Sequence, residues 1–367
     1  MTLPPTARAA VMIAANHDLV EREYPLPAVG AHDALVRVTC CTLCASDLHT
    51  WSGHRAGPTP AILGHEIVGE VVDLGSDRRL DATGALLRIG DRVTWTLHSS
   101  CGRCFYCTQA GLPMKCESVR KYGHESSDHP PHLQGGLAEY CLIDAGTGMV
   151  RLPSGLSDLA AAPANCACAT VIGAFDAIGL ASGKSVLIQG AGGLGCYAAA
   201  YAASIGCGPI VVTDIDAKRL ARAIQYGATH TLDASPGSLE QTTSLIRELT
   251  GGRGVDCAVE VAGVPGVIPT GLEHLRVGGC YAVCGCVFPG ALCDLDVSSL
   301  VRRRLSVVGI HNYDLSHLRR AVEFLDSTRD RFDWEGFVTH RFELSQVNEA
   351  FSTALSGSAG RVAITFA

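Results

Sequence analysis

Cys101, Cys104, Cys107 and Cys116 stand as C-x2-C-x2-C-x8-C, four thiols within sixteen residues. Thiolates so close in sequence can close a tetrahedron around Zn²⁺, at about 2.3 Å per Zn–S bond, and leave no ligand position open. A site of that kind is structural. A ferredoxin-type iron–sulfur run also begins C-x2-C-x2-C, but it wants its fourth Cys four positions on and followed by Pro. Cys116 is neither. Two disulfides are the remaining use of four thiols, and a reducing compartment disfavours them.

A second chemistry is written in Gly190-Ala-Gly-Gly-Leu-Gly195. The G-x-G-x-x-G pattern is weak alone, but here it follows a buried strand and opens a helix. Gly190 allows the tight turn, Gly192 lets a pyrophosphate approach the backbone, and Gly195 lets helix and strand pack closely. Gly193 and Leu194 complete the turn into the helix, whose free N–H groups face the anion. Asp214 ends the next strand, where a carboxylate can bind both ribose hydroxyls. A 2′-phosphate would meet its charge, so the pattern predicts NAD rather than NADP. Arg219, nearby in sequence, argues the other way. A Gly-rich turn followed by a surface Asp is the alternative without function.

Two further segments, Cys44-Ala-Ser-Asp-Leu-His49 and Gly64-His-Glu66, hold metal-ligand residue types. A lone Cys or His in a β-rich core is more often packing than ligand.

The elements that must position these groups fall into two textures. From Ala10 to about Tyr140 short alternating strands are separated by Gly and Pro, as in Ala34–Cys40, Ile67–Val72 and Asp91–Thr96. A helical small-residue segment, Leu159–Leu180, follows. Strand and helix then alternate: strands at 185–189, 209–214, 255–260 and 279–284, helices at 194–205 and 217–226. That alternation predicts a parallel sheet covered on both faces. A charged helix at 315–326 precedes Arg361-Val-Ala-Ile-Thr-Phe, a terminal strand able to return to the first domain. The expected class is α/β, a β-rich catalytic domain (1–164 and 309–367) plus a doubly wound Rossmann domain (165–308).

With 367 residues the chain can bury such cores without staples. A net charge of −7, with no basic tract longer than Arg302-Arg303-Arg304, excludes an extended nucleic-acid face. The uncharged run 186–212 has the length of a membrane helix, but its glycines and Pro209 break it into strand, turn and helix. No membrane association is expected, and a cytoplasmic location is. Seventeen cysteines point to metal sites rather than a disulfide framework.

Together these motifs resemble the zinc-dependent alcohol dehydrogenases of the medium-chain dehydrogenase/reductase family, over essentially the whole chain. The resemblance implies a GroES-like catalytic domain and two zinc ions per chain. It carries the catalytic ligands onto Cys44, His65 and Cys166, the last from Cys166-x-x-x-Thr170, with Cys168 as the alternative. Glu66 becomes an exchangeable ligand or its neighbour, Asp47 the partner that orients His65, and Ser46 and His49 the proton relay. Arg361 is placed at the cofactor phosphates.

One subgroup is closer still. Gly111–Cys116, Arg120–Glu125, Ala164-Asn-Cys and Gly309–Tyr313 resemble alcohol dehydrogenases associated with phosphonate metabolism. Membership implies a hydroxyalkyl phosphonate or its aldehyde, such as 2-hydroxyethylphosphonate and phosphonoacetaldehyde. A dianion in a zinc pocket needs cationic partners, and Arg55, His98, Lys121, His124 and His311 are the candidates. Alternatives are a polyol, amino alcohol or simple primary alcohol dehydrogenase, and a non-catalytic zinc-stabilised NAD-binding redox sensor. The resemblance also implies a homo-oligomer, dimer or tetramer.

Overall fold

The computed structural model describes residues 3–357 and 359–366. The chain divides into two units, Met1–Cys166 with Asp314–Ala367, and Ala167–Tyr313.

The first unit is built on a seven-stranded sheet whose central strand is Ala34–Thr42. Glu66–Leu74 pairs with it antiparallel, as do Tyr140–Ile143 and the terminal strand Arg361–Thr365. Ala363 lies opposite Thr42 and Ile364 opposite Cys41, so the chain's end does return to the first domain. Alternation places Val36, Val38, Ile67, Val71 and Val362 in one core with Trp95 and Phe351. Burial of these β-branched and aromatic side chains holds the sheet that carries the site.

The second unit is a six-stranded parallel sheet in the order His230–Asp233, Ile210–Asp214, Val186–Gln189, Val255–Glu260, Leu275–Val283, Ser306–Gly309. Helices Gly193–Ser204 and Ala217–Gln225 connect its first strands. The run 186–212 is therefore strand, helix and strand. Among the described residues no single helix is long and apolar enough to cross a membrane.

Several elements differ from expectation. Leu159–Leu180 is not one helix: a 3-10 turn, Ala162–Asn165, follows Asp158–Ala161, and a new helix, Ala167–Ala177, begins after Cys166. Pro163 lies inside that turn, and Cys166 leaves helical geometry at φ −139°. The strand His230–Asp233 and helix Leu239–Leu249 were not anticipated. Only partly buried, that strand lacks an apolar alternation to announce it. The domain joints fall at 166/167 and 313/314, a few residues beyond 164 and 308. The second is displaced because Ser306–Gly309 still pairs in parallel with Leu275–Val283.

Candidate active site

Helix Ala45–Trp51 starts at Cys44, whose amide donates to Asp47 Oδ2 at 3.0 Å. The other carboxylate oxygen accepts from the Gly64 amide at 3.2 Å and lies 2.9 Å from His65 Nδ1. One buried carboxylate thus pins two segments that are distant in sequence. A proton on Nδ1 toward Asp47 leaves Nε2 as a free lone pair, the tautomer a metal needs.

Cys166 Sγ lies 3.9 Å from Cys44 Sγ and 3.3 Å from His65 Nε2. A tetrahedral Zn²⁺ with ordinary bond lengths separates two sulfurs by about 3.8 Å, and sulfur from nitrogen by about 3.6 Å. The three atoms fit that ion. Cys166 belongs to the cluster and Cys168 does not; Cys168 is buried in the helix that follows. The hydrogen bond from Cys166 and the neighbouring His65 hold the Cys44 thiol well below its usual range despite burial.

Asn165 was passed over in the sequence. Its Nδ2 donates to the His65 carbonyl at 3.0 Å, and its Oδ1 accepts from the Ile67 amide at 3.4 Å. It therefore ties the Cys166 segment to the His65 segment. Its sequence signal is its place in Ala164-Asn-Cys, directly before a ligand.

Glu66 is fully buried beside this cluster. Its Oε2 accepts from Thr42 Oγ1 at 2.5 Å and from the Arg361 guanidinium, while Oε1 has no hydrogen-bond partner. Burial raises the carboxyl to about 7, against the pull of Arg361. Arg361, expected at the cofactor phosphates, thus has a buried ion pair inside the first unit. Ser46 Oγ lies 3.3 Å from His65 Nε2. His49 is in the last turn of the same helix, its pKa lowered by burial and by the neighbouring His54.

Of the candidate cations, four lie in the first unit. The His124 ring stacks at an angle on His65, centroids 5.1 Å apart. Burial, with the charges of His65, Arg55 and Lys121, pushes His124 well below its usual value. Burial, Lys115 and Arg55 lower the Lys121 amine to about 8. His98 pairs across a short strand with Lys121 and falls to about 4 through burial and that amine. His311 is an exposed residue of the second unit.

The four cysteines of the lobe lie together. Cys104 Sγ lies 3.5 Å from Cys107 Sγ and 3.9 Å from Cys116 Sγ, and all four sulfurs lie within 4.8 Å of one another. Four sulfurs so close could hold one tetrahedral ion. The Cys101 amide also points at Cys116 Sγ, 3.2 Å away.

In the second unit Gly190 takes φ +111°, and a Cβ on Gly195 would fall 1.9 Å from the Gly190 carbonyl oxygen. Only glycine permits that approach. A Cβ on Gly192 meets nothing within 4 Å, so the loop is open at the helix N-terminus, where a pyrophosphate fits. Asp214 accepts from the Ala191 amide at 2.7 Å and the Asp216 amide at 3.0 Å, which aims its carboxylate beside the loop. Arg219 turns to Asp216, 3.9 Å away.

Residues 30–154 match the alcohol dehydrogenase GroES-like domain family, and residues 193–327 the zinc-binding dehydrogenase family. The L-threonine 3-dehydrogenase of Shewanella baltica is 30% identical over 351 residues, covering 94% of this chain and 95% of that protein. The enzyme of the same name from Paraburkholderia phymatum is 32% identical over 343 residues, 92% of each. An alcohol dehydrogenase structure from Thermotoga maritima superposes with a TM-score of 0.92 at 31% identity, covering 98% of this chain and 99% of that one. A putative zinc-binding dehydrogenase from Sinorhizobium meliloti, bound to NADP, gives 0.85 at 25% identity, with coverage of 98% and 99%.

Proposed function

The chain belongs to the zinc-dependent alcohol dehydrogenases of the medium-chain dehydrogenase/reductase family, and from that premise we propose that it is an NAD-dependent enzyme that oxidises a small anionic alcohol, a hydroxyalkyl phosphonate, or reduces its aldehyde. The reading of the substrate rests on one observation: Arg55, Lys121 and His124 are gathered beside His65, a proposed metal ligand. The cations Arg55 and Lys121, with the His124 imidazole against the His65 ring, suit the oxygens of a phosphonate.

When bound, zinc supplies Lewis-acid polarisation of the substrate oxygen, and the nicotinamide supplies the hydride acceptor. Cys44, His65 and Cys166 would hold that zinc, and Cys101, Cys104, Cys107 and Cys116 a second, structural one. Three protein ligands leave a fourth position open, as a catalytic site needs. Asp47 keeps His65 in its tautomer. Ser46 Oγ, close to His65 Nε2, is placed to take the alcohol proton, and a neutral His49 to pass it on. Glu66, with its unpartnered Oε1, is available to approach the metal when ligands exchange. Gly190 to Gly195 would cradle the pyrophosphate and Asp214 the ribose hydroxyls, which supports NAD over NADP. Assembly as a dimer or tetramer belongs to the same reading.

The curated relatives named L-threonine 3-dehydrogenase support a second reading, an amino alcohol. Arg55 and Lys121 would repel the ammonium of L-threonine and attract its carboxylate, whereas both would attract a phosphonate. Rates of NAD reduction with 2-hydroxyethylphosphonate, L-threonine, a polyol and ethanol decide between them. Preference for the phosphonate by at least roughly tenfold in kcat/KM upholds the first reading; preference for L-threonine replaces it.

A further inference from the structure

Glu260 ends the strand Val255–Glu260, beside Val186–Gln189, where the order of the parallel strands reverses. Sheets of this kind take their ligands outside the carboxyl ends of the strands at such a point. The side chain is fully buried. Oε1 accepts from the Gly263 amide at 2.5 Å and Oε2 from the Gly285 amide at 2.9 Å. Its main-chain carbonyl accepts from the Cys284 amide at 3.0 Å. A carboxylate removed from water needs such charge-assisted partners, and here they come from the backbones of two loops.

Those loops are packed to the limit around it. A Cβ on Gly285 would fall 2.4 Å from the Gly263 nitrogen and 2.6 Å from Glu260 Oε1. The first loop also touches the glycine turn: a Cβ on Gly190 would lie 2.8 Å from the Ala262 nitrogen, and the Val261 amide donates to the Gln189 carbonyl at 2.9 Å. One carboxylate therefore sets the relative position of the two loops on the side of the crossover away from Asp214. A neutral amide in its place could accept only one of the two N–H groups.

We propose that Glu260 is a positioning residue for the dinucleotide, fixing loops 261–264 and 284–287 to receive its nicotinamide half. The role rests on the dinucleotide reading given above. The adenosine half, by contrast, is left to the glycine turn and Asp214.

The test is a pair of binding titrations on the full chain, NADH by its fluorescence and AMP by calorimetry, in wild type, Glu260→Gln and Glu260→Asp, each checked for cooperative unfolding. The Kd for NADH is expected to rise roughly tenfold or more in E260Q, with AMP changed by less than about twofold. E260D, which keeps the charge but withdraws it, is expected to fall between, and it carries the test if E260Q does not fold. Unchanged NADH affinity in a folded variant overturns the role, and so does equal weakening of NADH and AMP. A wild type that binds neither nucleotide sinks the dinucleotide reading itself, and this role with it.

Discussion

The Asp47 carboxylate lies 2.9 Å from His65 Nδ1, and both side chains are buried. That contact sets the imidazole's tautomer and holds Nε2 toward the two thiols. Burial lowers the imidazole's pKa, but Asp47 and then Cys44 raise it well above its usual value, so a metal on Nε2 would take the place of a proton. Replacement by Asn keeps the shape and removes the charge. D47N is expected to weaken catalytic zinc by roughly 10–100-fold, read as zinc lost per chain during chelator competition. Full retention of the ion would deny Asp47 this role.

Cys166 and Cys168 are separable by metal content. C166S should retain one zinc per chain and lose activity, because its sulfur is 3.9 Å from Cys44 and 3.3 Å from His65. C168S should keep both zinc ions. Elemental analysis of the purified variants gives the answer, and the reverse pattern would move the ligand to Cys168.

In the phosphonate reading Lys121 gives the site a pH signature. Burial, Lys115 and Arg55 bring its amine down to about 8, with Glu125 opposing. The cation is therefore present below about pH 8 and lost above it. KM for 2-hydroxyethylphosphonate should climb above pH 8, by at most roughly tenfold per pH unit, while KM for ethanol shows no such limb. In K121M the limb disappears and the phosphonate KM is already high at pH 7. Stability runs the other way. A Lys whose folded pKa lies below its unfolded value is destabilising, fully so below pH 8 and not at all above about 10.5. K121M should thus melt no lower than wild type at pH 7, by calorimetry.

Asp214 decides between the two dinucleotides in this reading. D214N removes a charge that would repel a 2′-phosphate while leaving an oxygen for the Ala191 amide. The ratio of kcat/KM for NADP to that for NAD is expected to rise at least roughly tenfold. A ratio that stays put would shift the discrimination to other residues, Arg219 first among them.

Loss of the four-cysteine site should be felt as local instability. In C104S one zinc per chain is lost, since Cys104 is 3.5 Å from Cys107 and 3.9 Å from Cys116. Proteolysis should then cut within residues 101–116, while NADH binding to the second unit persists. Intact zinc content in C104S would contradict the closed tetrahedron.

What the sequence determined by itself is what is local in the chain. The C-x2-C-x2-C-x8-C lobe, the glycine turn with Asp214, and the alternation of strand and helix all lie within short spans. There, spacing and backbone geometry leave few arrangements. Cys44, His65 and Cys166 were legible as ligands only through the resemblance of their segments to a family.

Tertiary structure decided the contacts between distant segments. Cys166 meets Cys44 across 122 positions, and Arg361 meets Glu66 across 295, because the terminal strand joins Ala34–Thr42. It also brought Arg55 and Lys121 to bear on the buried His124 ring. Asn165 stood within the Ala164-Asn-Cys segment without a role of its own, and Glu260 carried no motif. Their weight comes from burial, which makes a polar side chain's partners obligatory, and burial is a property of the folded chain.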